Sequence, residues 1–105
     1  MTEQPKLQYF MCRLVPPRPT FAFDMNEQEK AVMQAHVAYM AELMQNGNLV
    51  VCGPVADPAG PYGLGVLRAR DEDELKALLA KDPAGSSSFG LRWDWLPMLQ
   101  AMAVG

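Results

Sequence analysis

The sequence predicts an α+β domain: a four-stranded antiparallel sheet with two helices packed on one face, in the order β-α-β-β-α-β. Three observations predict it. Four short runs are rich in aromatic and aliphatic residues. Two stretches between them carry apolar residues at helical spacing, each opened by a capping pair. Clusters of Pro, Gly and Asn punctuate the joins. With 105 residues the chain suits one such domain and not two. Residues 1–105 are therefore read as one unit, with a core over about 7–97 and a tail over 98–105.

Composition narrows the function classes. Half of the residues are hydrophobic and 20% are charged, a globular balance. A net charge of −3 and a pI near 5.0 speak against a nucleic-acid partner and against a polybasic contact with membrane. No run approaches the ~18 apolar residues of a spanning helix. The start, Met1-Thr2-Glu3-Gln4-Pro5, has no basic region followed by an apolar one, so a cytoplasmic protein is expected. Cys12 and Cys52 form no C-x-x-C pair, and with one histidine there is no zinc-type ligand set. Both thiols read as free and buried, and no metal or cofactor is implied.

The first strand spans Leu7–Val15 and ends at Pro16-Pro17. Leu7, Tyr9, Met11 and Val15 share one side; Phe10, Cys12 and Leu14 share the other. Pro16 to Met25 is a loop with Arg18-Pro19 and the rings Phe21 and Phe23. Those rings either cap the core or belong to a lid in which Arg18 meets an anion. The long helix starts at Asp24 or Asn26, each with Glu three residues on, and stops at Asn46-Gly47. Met33, Val37, Met40, Ala41 and Met44 form its main packing stripe. Val32, His36, Tyr39 and Leu43 form a flank left to face something else.

Leu49–Cys52 is the second strand, ended by Gly53-Pro54. Tyr62–Arg70 is the third, paired with it as a hairpin, with Gly63 and Gly65 on one face. The second helix opens at Asp71 with Glu74 as capping partner, presents Leu75, Leu78 and Leu79, and closes at Lys81-Asp82-Pro83. Its four leading acids complement the helix dipole rather than hold a metal. Phe89–Leu96 is the fourth strand, with Phe89, Leu91, Trp93 and Trp95 on one face.

This element order is the ferredoxin-like pattern. It leaves one sheet face bare; strands one and two are apolar on both sides, and strand four puts four large residues on one face, which is expected to be the bare one. A homodimer with sheets face to face is therefore expected.

Candidate chemistry centres on His36, the only histidine, in the first helix. Histidine exchanges protons near neutrality. Read from the residues alone, His36 is first a hydrogen-bonded structural residue, and Asp57 a turn residue after Gly53-Pro54. Asp82 is a helix-end turn residue or a third polar group at a site. Tyr39, one turn from His36, packs or donates a hydrogen bond.

Several of these residues, in order, carry a likeness. His36-Val37-Ala38-Tyr39, Gly47, Gly53-Pro54 with Asp57, Tyr62-Gly63 and Asp82-Pro83 resemble the YciI-like (YCII-related) family over roughly Leu7 to Pro97. The resemblance implies a ferredoxin-like fold pairing as a dimeric α/β barrel, and a His–Asp pair in a pocket. Some relatives act on chlorinated muconolactones. Carried residue by residue, the pair falls on His36 and Asp57, as general acid/base and orienting partner. Arg18, Phe21, Tyr39 and Asp82 are the expected substrate contacts. The implied chemistry is proton transfer or elimination on a lactone-like or unsaturated small molecule. The alternative is a non-catalytic dimeric binding or interaction module. The longer first loop, with Arg18, Phe21 and Phe23, departs from the shortest members.

Overall fold

Strict alternation places the centre of the sheet. In the computed structural model, which describes residues 6–104, strand β1 (Gln8–Val15) buries Phe10, Cys12 and Leu14 on one face. Tyr9, Met11, Arg13 and Val15 lie on the other, as the pleat requires. Strand β3 (Tyr62–Ala69) pairs with it antiparallel, Cys12 opposite Gly65. Strand β4 (Arg92–Pro97) takes the other side of β1, Cys12 opposite Trp95. Strand β2 (Leu49–Val55) joins β3 by the expected hairpin. The order across the antiparallel sheet is β2-β3-β1-β4, an arrangement consistent with the ferredoxin-like fold.

The core lies on one face only. Phe10, Cys12, Leu67 and Ala69 of the central strands meet Met40 and Leu43 of α2 (Glu27–Gln45) and Leu75 and Leu79 of α3 (Glu72–Ala80). Burying such side chains is worth about 1.5–3 kcal/mol each. The Cys12 thiol is sealed within this layer, and burial pushes its pKa up to about 12. Cys52, expected to be buried, is exposed.

Helix α2 starts at Asn26. The Asn26 side chain accepts from Glu29 N at 2.8 Å, and Asn26 N donates to Glu29 Oε1 at 2.9 Å, a reciprocal capping box. Gly47, at φ 84°, follows the helix end in the left-handed region. In α3, Asp71 caps Glu74 N at 2.8 Å, while the Glu74 carboxylate turns to Arg70 instead of completing a box.

Three expectations need correction. The first loop contains a one-turn helix, α1 (Phe21–Asp24), whose Phe21 is buried and whose Phe23 is exposed. The fourth strand begins at Arg92, because Gly90 takes φ 86° and breaks the run from Phe89. Trp93 and Trp95 face the helices and pack on the core, so this aromatic face is not the bare one. The third correction concerns β2, which runs through Gly53-Pro54 to Val55. Proline is tolerated there because β2 is an edge strand with one side free of a partner.

The stripes on α2 are also exchanged. Val32, His36, Tyr39 and Leu43 are partly or fully buried, with Glu29, Met33 and Met40, whereas Val37 and Met44 are 64% and 48% exposed. Helical periodicity shows which residues share a face. It does not show which of two adjacent apolar faces turns to the sheet.

Candidate active site

A cavity of about 550 Å³ opens between α2, α1 and the β1, β2 and β3 strands. This falls within the roughly 300–1,000 Å³ typical of small-molecule sites. Several local choices produce it. Met33, Val37 and Met44 of α2 form one wall. A register shift between Leu49 and Val51 turns Cys52 and Pro54 toward the helices, forming another. Gly63 adds no side chain to the floor, and Phe21 closes an end.

His36 enters this wall from the middle of α2, its side chain 12% exposed. Its Nδ1 lies 2.8 Å from Asp82 Oδ1. Asp82 follows α3 and is fully buried. Its other carboxylate oxygen accepts from Trp93 Nε1 at 2.8 Å, and the Ala84 and Gly85 amides donate at 3.2 and 3.3 Å. The His36 and Trp93 rings are tilted by 43° with centroids 6.1 Å apart. Burial pushes the Asp82 carboxyl up. Hydrogen bonds from His36, Trp93 and Ala84, with the charge of His36, pull it below its ordinary value, and the net direction is down.

An ionised Asp82 only accepts, so Nδ1 carries a proton and neutral His36 keeps its lone pair on Nε2. Among the described residues Nε2 has no protein partner, and no buried side-chain nitrogen or oxygen is left unsatisfied. Nε2 is therefore accessible, on a ring that borders the cavity.

A family model for the YCII-related domain matches residues 9–92. The chain belongs to the YCII-related domain family. The match spans His36, Asp57 and Asp82, and it ends one residue before Trp93. No curated protein matches this YCII-related chain in sequence.

The expected pairing of His36 with Asp57 does not form. Asp57 closes its own turn, Oδ1 accepting from Ala59 N at 2.8 Å and its carbonyl from Gly60 N at 2.9 Å. The physical reason is the extra length of β2. Beyond its end the Asp57 charge acts on Arg13, which projects from the opposite sheet face. The histidine partner is Asp82, which also makes the helix-end turn.

Arg18 does not line this cavity. Its guanidinium makes two bonds of 2.8 Å to the Glu29 carboxylate and one of 2.8 Å to Asp24, so it serves the start of α2 rather than an anion. Phe21 does line the cavity. Tyr39 donates to the Leu78 carbonyl at 2.6 Å, tying α2 to α3. Two residues were missed as site members. Trp93 belongs to the aromatic face that the sequence assigns to the open side of the sheet, whereas its indole N–H turns inward and finds its acceptor at Asp82. Cys52 was read as buried because the strand shift that exposes it has no local sequence signal.

Proposed function

We propose that this YCII-related protein is a small-molecule enzyme in which His36 is the general acid/base and Asp82 its orienting partner. The observation that carries the reading is a buried carboxylate on Nδ1 of the one histidine that borders the cavity. In the reaction Nε2 takes a proton from an acidified carbon of a lactone-like or unsaturated substrate. Asp82 stabilises the resulting imidazolium without itself being protonated. Nε2–H then returns the proton to a second position, giving isomerisation, or to a departing group, giving elimination. Trp93 holds the second Asp82 oxygen and keeps the carboxylate fixed in plane.

The working unit is a homodimer through the open sheet face. Val51 and Leu96 are 50% and 63% exposed there, on the same side as Met11, Leu64 and Val66.

A screen of lactone and enol substrates with the wild type and three variants tests the assignment. His36→Ala and Asp82→Asn are expected to lose roughly 10²-fold or more of kcat. Asp57→Asn is expected to keep it. Turnover unchanged in His36→Ala and Asp82→Asn rejects the assigned roles. It then favours a binding module, for which the apolar lining of the cavity is the supporting observation.

A further inference from the structure

The lining of the cavity restricts what can occupy it. Its twenty residues include no Lys, Arg, Asp or Glu. The polar side chains are those of His36, Cys52 and Tyr62, and the rest is aliphatic, aromatic, methionine, proline or glycine. Arg18, the nearest expected anion contact, is committed to Asp24 and Glu29. Arg13 is committed to Asp94, at 2.9 and 2.8 Å, on the opposite face of the sheet.

His36 does not make the site cationic. Protonated, it sits 2.8 Å from an ionised Asp82, and the pair is neutral; unprotonated, the pair carries one negative charge. An anion entering the cavity therefore meets no compensating charge and loses its hydration. A cation fares no better. Asp82 has no exposed surface, so no carboxylate oxygen reaches the cavity to pair with it.

We infer that the ligand of this cavity is an uncharged, largely apolar ring compound that presents its acidified C–H to His36 Nε2. Carboxylated and phosphorylated analogues of the same skeleton are excluded. The inference rests on the proposed function for the position of the reacting group, but its selectivity comes from the lining alone.

Calorimetric titration at pH 7 with matched pairs tests it: coumarin against coumarin-3-carboxylate, and methyl 2-naphthoate against 2-naphthoate. The neutral member of each pair is expected to bind at least roughly 30-fold more tightly. Equal or tighter binding of the charged member in either pair overturns the inference, as does absence of binding by both neutral members. A cation added at the rim, Met44→Arg, is expected to raise affinity for the two carboxylates while leaving the neutral compounds within a few-fold. Failure to do so means that the carboxylates are not limited by missing charge, and also counts against it. In His36→Gln the preference for neutral ligands is expected to persist while turnover is lost. Turnover retained with the preference intact removes the catalytic reading alone. A reversed preference with His36-dependent turnover removes this inference alone.

Discussion

Asp82 is the residue on which the site depends, and its ionisation links the site to stability. Its folded pKa lies below the ordinary value of about 3.9. A lowered carboxylate contributes stability that is present above the unfolded pKa and lost as pH falls through the folded one. The Tm difference between wild type and Asp82→Asn should therefore shrink as the pH falls below about 4. Melting curves from pH 7 to 2 check this, and parallel curves throughout would show that Asp82 is not the linked group. Glu29 titrates in the same acid range, held at about 2 by Arg18 and the Asn26 amide, so both proteins still lose stability in acid. Gly85 supplies a second residue-scale prediction. A Cβ there would lie 2.7 Å from Trp93 Cδ1 and 3.0 Å from Nε1. Gly85→Ala must push the indole off Asp82, at an expected ~1–3 kcal/mol, with a shift in tryptophan emission. Unchanged emission and Tm would mean that the indole is not fixed by this contact. The residues of this cluster were individually readable as a helix histidine, a turn aspartate and an apolar-face tryptophan. Their meeting was not, because 46 positions separate His36 from Asp82 and no local pattern encodes that contact.

Among the elements, α2 joins fold and site. Its start was legible because a capping box is a contact between near neighbours, Asn26 and Glu29. Asn26→Ala is expected to cost about 1 kcal/mol. Arg18→Ala should also lower the Tm, since Glu29 is buried and Arg18 is its main partner. Neither variant should change which ligands the cavity takes. A chemical melt and a ligand titration on each separate the two effects, and altered selectivity in Arg18→Ala would return Arg18 to the site. What the helix packs against was less legible. In sequence the methionine stripe is the more apolar of the two, yet the choice fell to the one whose His36 and Tyr39 find acceptors at Asp82 and Leu78. Of the methionine stripe, Met40 joins the core while Met44 and Val37 stay exposed at the cavity, where flexible side chains line an adaptable wall. The edge position of β2 likewise could not be read locally, so Gly53-Pro54 looked like an end when it is a continuation.

Across the whole molecule, the unpaired surface is the outstanding feature. One sheet face carries the helices; the other carries Met11, Val51, Leu64, Val66 and Leu96 around the Arg13–Asp94 ion pair. This apolar field is crossed by the Arg13–Asp94 pair with Arg92 beside it, and by Arg68, and its apolar part is suited to self-association more than to solvent. Beyond β4 the chain continues as an extended tail, with Met98 N bonded to Tyr9 O at 2.9 Å and Leu99, Met102 and Val104 wholly exposed. Within its own chain the tail leaves the sheet at the Phe10–Pro97 end, whereas the cavity lies at the Leu14–Trp93 end. Apolar residues carried away from their own body are best covered by a second copy. Sedimentation equilibrium at micromolar concentration should therefore return twice the 11.6 kDa chain mass. Leu96→Glu, at an exposed position on the open face, should shift the protein toward monomer with its circular dichroism unchanged, because burying a carboxylate between two sheets has no compensating partner. Truncation after Pro97 should weaken the proposed dimer less than Leu96→Glu, because in that assembly the tail only adds to an interface centred on the sheet. A wild-type monomer under these conditions removes the face-to-face assembly, and a dimer indifferent to Leu96→Glu places the interface elsewhere.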